Sequence, residues 1–198
     1  MRYIADTVDF ELKEPTVVTL GKFDGRHRGH QKLLHTMEEV KESLGYATAI
    51  FTFSTAPLTL VTGEIATVIT TSEERRHNME KMGIDYLVEY PFTDDVRKMD
   101  PAVFVKDILV KRMKAKAVVV GPDCSFGYKG AGNVELLRTL SRELDFRLYV
   151  IEKEKDHRRD ISSTYIREEL SRGNVAKANE LLGEPYAIHG IVVHGNHI

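Results

Sequence analysis

Val17-Val18-Thr19-Leu20-Gly21-Lys22-Phe23-Asp24-Gly25-Arg26-His27-Arg28-Gly29-His30 is the stretch that decides how this chain folds. The apolar run Thr16–Leu20 reads as a buried strand. Three glycines and two histidines follow it. Apolar positions then recur at helical spacing, with Leu33, Leu34, Met37, Val40 and Leu44 on one face of a helix over residues 30–44, stopped by Gly45. Strand, glycine-bearing loop and helix in that order place imidazoles and bare backbone at a helix N-terminus. Partial positive charge and unpaired N–H groups there favour an anion.

The same rhythm continues along the chain. Residues 46–53 read as a second strand and residues 54–70 as a long irregular segment, a feature often tied to function. Thr71-Ser72-Glu73-Glu74 has the capping-box pattern and opens a helix to Met82, ended by Gly83. Residues 84–90 read as a strand. Asp100-Pro101 starts a helix to about Met113. Residues 116–121 form a strand, a glycine-rich loop reaches Gly132, and a helix over 133–144 precedes a strand over 146–152. Residues 163–172 and 175–182 read as short helices, and 186–194 as a last apolar strand. Alternation of this kind predicts an α/β fold, a parallel sheet with helices on both faces. Ligands of such sheets bind beyond the C-terminal strand ends, where strand order reverses, and the histidine loop is expected there.

The totals bound the possibilities. A chain of 198 residues can bury a real core and reads as one domain plus a small extension. The formal net charge of -2 gives no global attraction to nucleic acid or anionic membrane, so phosphate binding must be local. Its single cysteine, Cys124, excludes an internal disulfide and a cysteine-rich zinc site. No apolar run approaches the roughly 20 residues of a membrane span, and the N-terminus lacks the apolar core of a signal peptide. A cytoplasmic protein is the expectation.

The loop after the first predicted strand is not a P-loop, because no Gly-Lys-Ser/Thr ends it, and the spacing of Gly21, Gly25 and Gly29 is not the dinucleotide fingerprint. Gly29 lets an anion approach the backbone, and His27 and His30 are candidate donors to phosphoryl oxygens. The competing reading, a surface turn with solvated histidines, fits poorly with the order of strand, glycines, histidines and helix. Two histidines without further partners make an incomplete metal site, so no metal ligand is assigned. For Asp24 two readings stay open: a turn cap, or a contact to a substrate hydroxyl or magnesium.

Ile161-Ser162-Ser163-Thr164-Tyr165-Ile166-Arg167 opens a helix with three hydroxyl residues. Such residues commonly cap helices, but Ser163, Thr164 and Arg167 together also form an anion clamp, with Arg167 one turn in and able to reach back. In Gly121-Pro122-Asp123-Cys124-Ser125-Phe126-Gly127-Tyr128, Asp123 is a candidate acceptor for a nucleobase or ribose, and Phe126 and Tyr128 for stacking on a flat ring. An ordinary turn with the aromatics tucked inward is the equal alternative. Cys124, next to an acid, is not read as a nucleophile. The charge run over residues 153–160 reads as a solvated loop, with Arg158 or Arg159 reaching a triphosphate as the lesser alternative.

Together these motifs resemble the adenylyltransferase half of the bacterial riboflavin kinase/FMN adenylyltransferase family, over nearly the whole chain. Gly21–Gln31 looks like that family's first nucleotide loop, residues 121–127 its adenine and flavin loop, and residues 161–167 its phosphate motif. Ala178-Asn179 through Leu182-Gly183 and Pro185-Tyr186 resembles the joint to a kinase module. The chain departs at Phe53-Ser54-Thr55-Ala56-Pro57, where Ala56 replaces a histidine, and at Cys124-Ser125, where the family carries Phe-Arg. It also lacks the kinase barrel.

The resemblance implies a Rossmann-like open parallel sheet, with residues 1–185 as nucleotidylyltransferase domain and 186–198 as the start of a missing kinase barrel. It implies adenylyl transfer from ATP to FMN, giving FAD and pyrophosphate with magnesium. His27, His30 and Arg167 would be catalytic. Gly21, Phe23, Asp24, Gly29, Asp123, Ser163 and Thr164 would bind ATP, and Phe53, Phe126 and Tyr128 the flavin. Small-molecule substrates, a kinase module normally fused C-terminally, and neither nucleic acid nor membrane complete the expectation. Another phosphorylated acceptor, or a flavin- or nucleotide-binding paralogue without this catalysis, are the alternatives.

Overall fold

The computed structural model describes residues 1–54, 67–192 and 194. Six strands form one parallel sheet: β1 (Arg2–Ala5), β2 (Thr16–Leu20), β3 (Ala47–Phe53), β4 (Tyr86–Tyr90), β5 (Ala115–Val120) and β6 (Arg147–Val150). Their spatial order is β1-β4-β3-β2-β5-β6, with every neighbouring pair parallel. From β2 the chain steps outward through β3 to β4, then resumes on the other side of β2 with β5 and β6. Strand order therefore reverses between β2 and β5. The loops leaving those two strands flank the crevice where open parallel sheets take their ligands.

The central strands are apolar because both faces are covered. On one face, α1 (Arg28–Leu44) and α2 (Ser72–Lys81) set Leu34, Met37, Val40 and Met79 against Val17, Ile50, Leu87, Ala117 and Val119. The short helices α3 (Asp94–Arg97) and α4 (Pro101–Val103) follow β4, and α4 runs directly into a π-helix over Phe104–Arg112. That π-helix and α5 (Val134–Glu143) cover the other face, with Phe104, Val105, Ile108, Leu109 and Leu137 packed on Val18, Phe51, Val88 and Val118. A third apolar cluster joins Ile69, in the loop before α2, to Ile166 of α6 (Ser163–Ser171) and to Ala178, Leu181 and Leu182 of α7 (Val175–Leu182).

Most local signals act as read. Thr71 and Glu74 form the reciprocal capping box of α2, and the Asp100 carboxylate caps α4 with Pro101 at its first position. Gly45 and Gly183 end α1 and α7 in left-handed conformation.

Four features differ from the sequence reading. An edge strand, β1, precedes the strand taken as first; four residues against β4 are too short to show periodicity. Helix α1 begins two residues early, at Arg28, because His27 caps it. The charge run contains a hairpin, β7 (Lys155–Asp156) with β8 (Arg159–Asp160). The strand expected over 186–194 is not formed among the described residues, since no neighbouring strand offers it a ladder and Ile188, Ile191 and Val192 are exposed. Ala56 and Pro57 lie outside the described residues. No helix among the described residues is long and apolar enough to cross a membrane.

Candidate active site

The loop between β2 and α1 is held by unusual backbone. Phe23 has φ 50°, a cost for a side-chain-bearing residue, and its buried ring lies 4.7 Å from the His30 ring. Gly25 has φ 69°, and a Cβ there would meet the Ile69 side chain at 2.9 Å. Gly29 is less tightly held, with ordinary φ, but a Cβ would lie 3.2 Å from His27 Nδ1. The glycines thus bring the loop close to its neighbours rather than merely allowing it to bend.

The two imidazoles stack, with centroids 3.7 Å apart and planes at 21°. His27 is buried, and its Nδ1 accepts the His30 backbone N–H at 3.3 Å as the N-cap of α1. A neutral ring that accepts at Nδ1 carries its proton on Nε2. His30 is the reverse. Its Nδ1 lies 2.8 Å from the Gly25 carbonyl, which only accepts, so the proton is on Nδ1 and Nε2 holds a lone pair. Burial pushes His27 down to about 3, with the neighbouring His30 ring acting the same way. Burial likewise pushes His30 down to about 4, against the Gly25 hydrogen bond and the Asp24 charge, which favour its protonation. Both rings are neutral at pH 7.

Asp24 links this loop to the distant hydroxyl helix. Its Oδ1 accepts the backbone N–H groups of Ile69 at 2.7 Å and Thr70 at 3.1 Å. Its Oδ2 meets Arg167 Nη1 at 2.6 Å. Its backbone carbonyl accepts the Ser163 hydroxyl at 2.6 Å. The N-terminus of α6 is thereby docked beside the N-terminus of α1, and residues 139 and 143 positions apart share one loop. Ser162 caps α6 through Tyr165 N–H, and the exposed Thr164 hydroxyl accepts Arg167 Nη2 at 3.3 Å. The Asp24 carboxylate is not the local turn cap offered by the sequence reading: it is engaged with two N–H groups 45 and 46 positions away and with a guanidinium. Gly21 donates its N–H to Phe51 at the end of β3.

The other expected contacts divide. Asp123 is exposed in the loop after β5 and pairs with Lys153 Nζ at 2.9 Å, which also meets Asp160 of β8 at 3.1 Å. Phe126 is tucked inward: it is buried against Phe104, its backbone closes a bridge with Gly132, and a Cβ on Gly132 would lie 2.4 Å from its ring. Tyr128 is exposed, with the Lys129 ammonium 5.4 Å from its ring centroid. Phe53 is half-buried at the C-terminal end of β3 and packs edge-on against Phe51 and Phe92. The Cys124 thiol is pushed up to about 12 by burial and then by Asp123, which keeps it protonated and inert. Arg159 pairs with Glu168 at 2.7 Å and covers the Tyr165 ring, and Arg158 is exposed in the β7–β8 turn.

Several supporting residues gave no signal in the sequence. Gln31 donates from Nε2 to the carbonyls of Arg26 and Leu182 at 2.9 and 2.8 Å. Arg26 is ion-paired with Glu184. Thr70 Oγ1 accepts the Gly25 N–H at 3.1 Å. Apart from the Gln31–Arg26 contact, five positions apart, these partners lie dozens of positions away, beyond the reach of motif or periodicity. A cavity of about 540 Å³, lined by Arg26, Ile69, Thr70, His77, Glu184 and Tyr186 among others, adjoins the loop without being lined by either histidine. Among the described residues no group of three or more His, Cys, Asp or Glu is placed to hold a metal ion.

The open parallel sheet, with paired imidazoles in the loop after β2 and a serine–arginine helix docked on that loop, defines an α/β protein of the Rossmann-like class. The family model for FAD synthetase matches residues 9–165, and the chain belongs to that family. It is 33% identical over 190 residues to the bifunctional riboflavin kinase/FMN adenylyltransferase of Bacillus subtilis, covering 94% of this chain and 59% of the relative. The protein of the same description from Escherichia coli K12 is 33% identical over 187 residues, covering 94% and 60%. A crystal structure from Streptococcus pneumoniae, described as a macrolide-efflux protein, superposes with TM-score 0.83 at 28% identity over 98% of this chain and 64% of that one. The chain spans about 60% of the length of its curated relatives.

Proposed function

We propose that this chain transfers the adenylyl group of ATP to FMN, giving FAD and pyrophosphate. The observation that supports the reading is that the histidine loop, with its stacked imidazoles, and α6 meet at Asp24, through its contacts to Ser163 and Arg167. The match of the family model to residues 9–165 spans both segments.

In this reaction a phosphate oxygen of FMN attacks the α-phosphorus in line, and the bond to the leaving pyrophosphate breaks. No covalent enzyme intermediate is needed, so the protein contributes position and charge. His27 presents a preset Nε2–H donor. His30 becomes a donor at Nε2 only by taking up a proton, which the negative charge of bound triphosphate favours. The resulting imidazolium keeps its Nδ1–H on the Gly25 carbonyl. Arg167 and Thr164 hold the β and γ phosphates, Ser163 positions α6 by donating its hydroxyl to the Asp24 carbonyl, and Gly21, Phe23, Asp24 and Gly29 shape the loop that receives the phosphates. Asp123 meets the adenosine, and Phe53 and Tyr128 remain the flavin candidates. Magnesium enters as part of the ATP substrate, and the Asp24 carboxylate is engaged by two N–H groups and Arg167.

Residues 1–185 form the unit assigned this activity, and the cytoplasm, which supplies ATP and FMN, is its assigned location. Riboflavin phosphorylation is not assigned to this chain. Incubating the purified protein with FMN, ATP and magnesium tests the reading. FAD and pyrophosphate should form at equal rates. ATP binding without FAD formation would support a binding protein instead, and turnover on another phosphorylated acceptor would reassign the substrate.

A further inference from the structure

We propose that Arg75, with Glu89, is a positioning residue for the histidine loop, an inference that rests on the adenylyl-transfer reading above. Arg75 lies on the first turns of α2 and Glu89 near the C-terminal end of β4. Arg75 Nη2 meets Glu89 Oε1 at 2.5 Å, with side chains only 13% and 5% exposed. The second oxygen of Glu89 accepts the Tyr3 hydroxyl at 2.6 Å, which fixes the carboxylate against β1. The other guanidinium arm, Nη1, donates to the Lys22 carbonyl at 3.3 Å. Lys22 directly precedes Phe23, the residue at positive φ whose ring packs on His30. The path from the sheet to the imidazole is therefore short: carboxylate, guanidinium, one carbonyl, one aromatic ring.

Two further facts separate this pair from an ordinary buried ion pair. Arg75 Nε is buried without a hydrogen-bond partner among the described residues. A buried donor unmatched by the described residues is a cost to stability. Other fastenings of the loop also converge on the same entrance to α2, through Asp24 on Ile69 and Thr70 and through Gly25 on Thr70. Arg75 is the member of this set that ties the loop to the sheet itself. A planar fork reaching a carboxylate and a carbonyl at once is a task lysine cannot perform.

Arg75→Lys keeps the charge opposite Glu89 and loses the second arm. The expected result is a folded protein whose kcat for FAD formation falls roughly 10- to 100-fold, the scale of a sub-ångström to ångström misplacement, while both KM values stay within about threefold. The ¹⁵N and ¹H resonances of the His30 ring should shift. Lys41, whose pair with Asp85 (2.9 Å) lies at the opposite strand ends, is the control: Lys41→Met should lower the melting temperature and leave kcat and the His30 resonances in place. A folded Arg75→Lys with unchanged kcat and unchanged His30 resonances overturns the proposal. Should that variant fail to fold, Glu89→Gln, which keeps the shape and removes the opposite charge, is read by the same two measurements and the same criteria. Should the wild type make no FAD, the functional reading fails separately, and the His30 resonances alone decide the role of Arg75.

Discussion

The stacked histidines are unequal in a way their spacing does not reveal. His27 spends its Nδ1 as a helix cap and keeps Nε2–H free, so His27→Asn should preserve the cap and the melting temperature while lowering FAD turnover. His27→Ala should lose both, at about 1 kcal/mol of stability. His30→Ala should cut turnover roughly a hundredfold with near-UV circular dichroism unchanged. Unchanged FAD formation in that variant would remove His30 from the chemistry. Acidity acts on both rings with one sign. Their folded-state values, about 3 and about 4, lie below the ordinary imidazole value of 6.5, so the unfolded chain takes up protons first. The stability that depends on neutral rings is complete above about pH 6.5 and is lost as pH falls through 4 toward 3. Thermal midpoints measured from pH 7 to 4 should therefore fall, and the His27→Asn/His30→Asn double variant should flatten that slope. Equal slopes would assign the acid sensitivity to carboxylates alone.

Elements meet at the site through Asp24 and through the closed loop after β5. Asp24→Asn retains an acceptor for Ile69 and Thr70 N–H but releases Arg167. We expect about a tenfold loss in kcat/KM for ATP, about 1.4 kcal/mol, with a small change in melting temperature. A loss confined to stability would make Asp24 purely architectural. The second loop is tightened by Gly132, where a methyl group has no room beside the Phe126 ring. Gly132→Ala should cost about 1–3 kcal/mol by chemical denaturation through overpacking. This loop is also where the sequence reading divided, since Phe126 and Tyr128 carry equal aromatic signals and only packing against Phe104 separates the buried one from the exposed one.

The whole molecule rests on two covered sheet faces and the α6–α7 cluster, none of which draws on residues 187–192. A chain ended at Tyr186 keeps the Arg26–Glu184 pair and the Tyr186 N–H bond to Asn179 Oδ1 at 2.7 Å. It should melt within a few degrees of the full chain and keep its FAD-forming rate. A large loss of either would place the later residues within the adenylyltransferase unit.

What the sequence determined by itself was the alternation of apolar strands with capped amphipathic helices, and therefore the parallel sheet and the end of it that carries the histidine loop. Those signals are local: Thr71 with Glu74, Asp100 with Pro101, Gly45 after a 3.6-period stripe. The histidine pair and the hydroxyl-rich start of α6 were legible for the same reason, because each is written in neighbouring residues. The tertiary structure alone decided that Asp24 binds Arg167, that Gln31 reaches Leu182, that Arg75 and Glu89 hold Lys22, and which proton each imidazole carries. Hydrogen bonds between residues far apart in the chain depend on where the fold brings their atoms, and no periodicity or propensity encodes that distance.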